Sequence, residues 1–137
     1  MKVYLIAGEP SGDKLGAELM AGLISCAPYE LEFCGVGGPL MEEQGLSSLF
    51  PINDIAVMGI GEILAKYSFL KERIKNTVND ILKLKPDVLI TIDAPEFSLR
   101  VAKVVRQKLF VNTIHYVAPT VWAWRPNRAK RMSGYVD

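Results

Sequence analysis

Asp93 closes the apolar run "DVLITID", and Ala94-Pro95 follows it directly. A carboxylate held at a sheet edge beside a cleft can take a proton from a substrate hydroxyl, the general-base half of a group transfer. The same aspartate can instead cap a helix opening near Glu96. Glu96 can pair with it or simply favour the helix dipole from the first turn. The turn "GEPSGDKLGA", Gly8–Ala17, follows the apolar "VYLIA" and offers helix-start amides to an oxygen-bearing ligand. It has neither the Gly-x-Gly-x-x-Gly spacing of a dinucleotide site nor the Gly-Lys-Ser/Thr ending of a P-loop. Ser11 lies outside any Gly-x-Ser-x-Gly elbow, which leaves a hydrolase nucleophile unsupported. His115 is the single histidine and reads either as a hydrogen-bonded structural residue at a strand end or as a base. It has no second histidine with which to build a metal site, and Cys26 and Cys34 stand at no metal-ligand spacing. The two cysteines read as buried thiols in a reducing compartment. No metal and no cofactor is implied.

These residues need elements to hold them, and short apolar runs alternate with amphipathic stretches along the chain. Val3–Ala7 reads as a central strand. The next helix is expected to be capped by Ser11, with Leu15, Leu19, Leu23 and Ile24 at helical spacing. Leu31–Gly38 gives a second strand ending in glycines, Pro39 opens a short helix closed by Gly45, and a brief strand lies around Leu46–Phe50. Ile52–Leu70 is unusually apolar. Beyond it, Ile74, Val78, Ile81 and Leu82 mark a helix ending before Pro86. "DVLITID" and "VNTIHYV" are further strands around a helix from Glu96 to Lys108, and a short basic helix follows "APTVW". The alternation predicts an α/β fold, a Rossmann-like parallel sheet with helices on both faces. Ligands of such sheets gather beyond the carboxyl ends of the strands. Gly8–Gly12, Gly35–Pro39, Asp93–Phe97 and His115–Trp124 all fall there. In an extended stretch Trp122 and Trp124 face one way. One is expected in the core, and the other is free to stack on sugar or meet lipid.

A chain of 137 residues is the size of one domain; it is half hydrophobic, and its net charge of +1 argues against a general nucleic-acid binder. Arg125, Arg128, Lys130 and Arg131 cluster near one acid, Asp137. They suit an anionic surface or the solvated end of a helix. The amino terminus has no signal-peptide pattern, and no apolar stretch approaches the ~20 residues that span a bilayer. The expectation is a cytoplasmic protein. The final "GYVD" stands where another strand would start, which suggests the amino-terminal portion of something longer.

"GEPSGDKLGA", "GVGGPLM", "AVMGIGEIL", "IDAPEF" and "HYVAPTVWAWR" occur in this order. Together they resemble the amino-terminal half of the lipid-A-disaccharide synthase family. The resemblance runs from Gly8 to Arg125. It implies an inverting glycosyltransferase of two Rossmann-like domains (GT-B type), with residues 1–137 as the acceptor-side domain and the carboxy-terminal donor-binding domain absent. The implied reaction joins UDP-2,3-diacylglucosamine to 2,3-diacylglucosamine 1-phosphate (lipid X), giving the β-1,6 lipid A disaccharide and UDP. Asp93 matches the family's proposed general base, and Glu9, Ser11 and Gly12 match positions lining the cleft. Met58 and Glu62 fall in the segment associated with lipid contact, and Trp122 and Arg125 lie in the last motif as substrate contacts. The family often has Asp-Phe-Asn where this chain has Glu96-Phe97-Ser98, and a small polar residue in place of Pro10. Acylated substrates imply peripheral attachment to the inner face of the inner membrane, through Ile52–Leu70 with Met58, Ile60 and Leu64 exposed, and through the basic cluster meeting anionic headgroups; simple core packing is the alternative for most of that run. Without its donor domain the chain is expected to be inactive. The rival readings are a truncated non-catalytic module that keeps the fold or borrows a second domain from a partner, and a generic nucleotide-binding Rossmann domain.

Overall fold

The computed structural model describes residues 1–56, 63–117, 134 and 136. Five strands form one parallel sheet: β1 (Lys2–Ala7), β2 (Glu32–Val36), β3 (Ser47–Ser48), β4 (Val88–Ile92) and β5 (Asn112–Tyr116), in the order β3-β2-β1-β4-β5. The helices are α1 (Pro10–Cys26), α2 (Pro39–Glu43), α3 (Asn53–Ala56), α4 (Ile63–Leu84) and α5 (Pro95–Arg106). The expected doubly wound α/β fold is therefore present. β1 has neighbours on both edges, with Leu5 opposite Gly35 on one side and Ile90 on the other.

Alternate residues of β1 and β4 enter opposite cores, as the period of two requires. Val3, Leu5, Ala7, Ile90 and Ile92 pack with Met20 and Met41 of α1 and α2. Tyr4, Ile6 and Leu89 pack with Val78 and Ile81 of α4 and with Phe97, Val101 and Val105 of α5. The buried seam of α1 is built from smaller residues than its leucines suggest. Gly12, Asp13, Gly16 and Met20 are buried, whereas Ile24 is 51% exposed. A β-carbon on Gly16 would lie 2.5 Å from the Met41 sulfur, so α1 and α2 approach only because that position is bare.

Three βα turns share one construction. Two residues separate each strand from a proline at the first helical position: Gly8-Glu9 before Pro10, Gly37-Gly38 before Pro39, and Asp93-Ala94 before Pro95. Proline suits that position because the missing amide had no helical partner and its φ is already helical. The spacing shortens the turns and brings every helix start to the sheet's carboxyl edge.

Several expected details differ. Ser11 lies inside α1; Glu9 is its N-cap and makes no side-chain cap bond. Pro10 already supplies the helical φ, so the helix begins one residue before the serine. Cys26, expected to be buried, is exposed and Cys34 is half-buried, because Cys26 ends α1 beyond its packed seam. The third strand shrinks to Ser47–Ser48, and the described parts of the apolar Ile52–Leu70 stretch fall in α3 and the start of α4.

A buried carboxylate ties the α1 side together. Asp13, 4% exposed, accepts hydrogen bonds from the amides of Gly38 (2.9 Å), Leu40 (3.1 Å) and Met41 (3.0 Å). These are the orphan donors at the start of α2. Replacing Asp13 by alanine strands them in a buried place. Asp13→Ala is expected to cost about 3 kcal/mol, and Asp13→Asn less because one acceptor oxygen survives. Urea denaturation of both variants measures the difference; equal stability of Asp13→Ala and the parent would remove Asp13 from this role.

Candidate functional site

The strand order reverses direction between β1 and β4, and crevices of doubly wound sheets open at that switch point. The β1–α1 and β4–α5 turns meet there. Gly8 is buried, and a β-carbon on it would collide with the Ala94 side chain and reach Ile55 of α3 at 3.3 Å. A β-carbon on Gly12 would lie 3.5 Å from the Ile92 carbonyl, so the start of α1 sits over the end of β4. Glu9 and Ser11 are exposed on the rim of this junction. Gly12 is buried beneath it and serves close packing rather than the open face.

Asp93 and Ala94 both adopt left-handed backbone, at φ 50° and 44°. Such conformations cost L-residues roughly 1 kcal/mol or more apiece and persist only where surroundings impose them. The surroundings are visible. The Asp93 amide donates to the Tyr116 carbonyl at 3.3 Å, and its carbonyl accepts from the Ser98 hydroxyl at 3.0 Å. Backbone bonds to β5 and α5 thus hold the turn, leaving the half-buried Asp93 side chain out of that scaffold. The N-cap of α5 is Ala94, so Asp93 does not occupy the capping position. Glu96 does not turn to Asp93; it pairs with Arg100 one turn along, at 3.4 Å. Val117 beyond β5 has φ 69°, an unfavourable value for a β-branched residue. Backbone strain is therefore present at the carboxyl ends of both β4 and β5.

His115 lies opposite Thr91 in the β4–β5 register, and its Nδ1 is 2.8 Å from the Thr91 hydroxyl. Thr91 is fully buried, and its hydroxyl also reaches the Ile114 carbonyl at 3.3 Å. The imidazole is half-buried, with Nε2 buried and unpartnered among the described residues. Burial lowers the proton affinity of His115 below the ordinary histidine value, and the Asp93 charge opposes that effect. The strand end thus sets the imidazole within the field of the Asp93 carboxylate.

A second constellation braces the approach. Arg73 of α4 pairs with Asp54 of α3 at 2.8 Å, and its guanidinium lies over the rings of Phe50 (5.0 Å) and Phe69 (4.6 Å). This cluster ties α4 to α3, and α3 supplies the Ile55 that touches the Gly8 junction. Met58, Glu62, Trp122 and Arg125 lie outside the described residues, as do Ile60, Trp124 and Arg128, Lys130 and Arg131. No His, Cys, Asp and Glu side chains among the described residues group closely enough to hold a metal ion.

Of the expected site residues, the structure brings Glu9, Ser11, Gly12 and Asp93 to one junction. Asp13, Thr91 and Arg73 were not singled out. Their partners lie far along the chain, so none of the three carried a local signal.

Comparison with known proteins follows the same lines. Residues 3–137 match the family model described as lipid-A-disaccharide synthetase. The chain is 54% identical over 137 residues to the lipid-A-disaccharide synthase of Ruegeria pomeroyi, covering 100% of this chain and 34% of that protein. It is 48% identical over 136 residues to that of Rhodospirillum centenum, covering 98% and 34%. It therefore spans about a third of the length of these curated relatives. Among solved structures, UDP-GlcNAc 2-epimerase from Neisseria meningitidis, bound to UDP-GlcNAc, superposes with a TM-score of 0.62 at 15% identity, over 99% of this chain and 39% of that one. A putative UDP-N-acetylglucosamine 2-epimerase from Listeria monocytogenes gives 0.59 at 14% identity, over 99% and 37%. At such identities the likeness establishes the fold alone. With its motifs in order, its sheet doubly wound and its match running from residue 3 to 137, the chain belongs to the lipid-A-disaccharide synthase family.

Proposed function

We propose that this chain forms the acceptor-side wall of an inverting glycosyltransferase that makes the β-1,6-linked lipid A disaccharide. The observation that carries the reading is Asp93, in a left-handed turn at the switch-point crevice, with its backbone secured by Tyr116 and Ser98. Its carboxylate takes the proton from the 6-hydroxyl of lipid X. The freed oxygen attacks the anomeric carbon of UDP-2,3-diacylglucosamine from the face opposite UDP, and the bond to UDP breaks as the new one forms. Glu9 and Ser11 border the acceptor. Gly8 and Gly12 let the first turn come close to β4, and the starts of α1 and α5 present amides to sugar oxygens. Met58, Glu62, Trp122 and Arg125 complete the substrate contacts in this reading. No cofactor is required.

Transfer also needs the donor held in line and the departing UDP stabilised. One wall of a cleft does neither, so a carboxy-terminal donor domain is part of the proposal and the chain by itself is inactive. Membrane attachment belongs to the same reading, because both substrates carry acyl chains. Early in α4, Tyr67 is 45% and Phe69 36% exposed, with the Lys71 ammonium 4.5 Å from the Tyr67 ring centroid. Aromatic rings beside a cation suit the boundary between acyl chains and anionic headgroups. No described helix is long and apolar enough to cross a membrane; the proposed contact is at the interface, on the inner face of the inner membrane.

Activity is best measured with this chain grafted in place of the matching third of the Ruegeria pomeroyi relative. Asp93→Asn suits the test, since asparagine tolerates left-handed backbone and removes only the base. Turnover, followed by UDP release, is expected to fall about 100-fold or more with the melting temperature unchanged. Near-normal turnover would reduce Asp93 to a turn residue.

Tyr67→Ser is expected to lower binding of the same protein to phosphatidylglycerol vesicles severalfold while sparing the fold. Sedimentation with the vesicles reads this out, and unchanged binding would place membrane contact elsewhere.

A further inference from the structure

The Thr91 hydroxyl has one proton and two possible acceptors, the Ile114 carbonyl at 3.3 Å and His115 Nδ1 at 2.8 Å. If Thr91 donated to Nδ1, the neutral ring would carry its proton on Nε2. That atom is buried with no partner among the described residues. A buried N–H without an acceptor is rarer and more costly than an unpaired lone pair. The opposite arrangement satisfies every donor: Nδ1–H donates to Thr91, Thr91 donates to Ile114, and Nε2 keeps only a lone pair. The register makes this possible, since Thr91 and His115 are direct cross-strand partners two residues before Asp93.

We propose that His115 is a positioning residue for Asp93, a neutral imidazole protonated on Nδ1 that braces the end of β4 through Thr91 without placing a cation beside the base. This rests on the reading of Asp93 as general base and extends it. An imidazolium there would stabilise the carboxylate and weaken it as a proton acceptor. Burial disfavours the imidazolium, and among the described residues Asp93 is the charged group whose field acts on the ring. Glu96 and Arg100 of neighbouring α5 engage each other. The two cross-strand links, Thr91 to His115 and the Asp93 amide to Tyr116, run side by side between β4 and β5. Together they fix the turn, while the neutral ring preserves the basicity of the carboxylate. As the pH falls and the ring takes a proton, its charge weakens the carboxylate as a proton acceptor.

The test uses the grafted full-length enzyme. His115→Asn keeps a donor near the Nδ1 position and cannot become a cation; His115→Lys supplies a permanent one. His115→Asn is expected to lower kcat about fivefold near pH 8 and to flatten the acid limb of the pH profile. His115→Lys is expected to lower kcat about 100-fold with KM changed less than about twofold. Nitrogen NMR of the unsubstituted protein near neutral pH should show a protonated Nδ1 and an unprotonated Nε2, and it decides the matter even if His115→Lys fails to fold. A proton on Nε2, an imidazolium at neutral pH, or a folded His115→Lys enzyme at full kcat would overturn the assignment. Asp93→Asn separates the two readings. If it is inactive while His115→Lys is fully active, only the role of His115 falls; if Asp93→Asn retains full kcat, the general-base reading falls itself.

Discussion

The bare α-carbon of Gly8 is the constraint on which the strand-end geometry depends. The β1–α1 turn and the β4–α5 turn occupy adjoining space, and a side chain at Gly8 would sit where Ala94 already is. Only because that position is empty do the first glycine loop and the Asp93 turn share one junction. The short turns enforce the closeness, since each strand is two residues from its helix-starting proline. Longer turns would let the loops part and leave Asp93 at an open edge.

Around this junction, polar side chains hold elements in place where an apolar core cannot reach. The Asp13 carboxylate gathers three amides at the start of α2 and so fixes the Gly37-Gly38 turn against α1. A β-carbon on Gly38 would come within 2.5 Å of that carboxylate, which makes glycine there a requirement of the hydrogen bond. On the opposite face, Arg73 combines an ion pair with two aromatic contacts to bind α4 to α3. Tyr4, fully buried, donates to Asp80 at 2.8 Å and ties β1 to α4. Each charge is paired or hydrogen-bonded, as burial demands.

The arrangement also divides labour within the sheet edge. Backbone bonds from Asp93 to Tyr116 and Ser98 hold the strained turn, with the Thr91–His115 pair beside them. The Asp93 side chain stands outside those bonds, which in the proposed role lets it change protonation without loosening its own support. Strain at the ends of β4 and β5 fits the proposed base, whose position would be set before substrate arrives.

By itself the sequence determined the alternation of strands and helices, the two cores and the location of Asp93, Glu9 and Ser11 at the carboxyl edge. These follow from periodicities of two and 3.6 and from proline and glycine placement, all local signals. The ordered motifs carried the family as well. Tertiary structure decided the rest: that Gly8 meets Ala94, that Asp13 caps α2, that Ala94 rather than Asp93 is the N-cap, that Ser11 lies inside its helix, and that Thr91 supports His115. Asp13 and Gly38 are 25 residues apart and Thr91 and His115 are 24 apart. Contacts at that separation depend on strand order and on which small residues let backbones approach. Neither leaves a periodic trace in the chain, so a buried carboxylate and a half-buried imidazole read as ordinary polar residues until the sheet places their partners beside them.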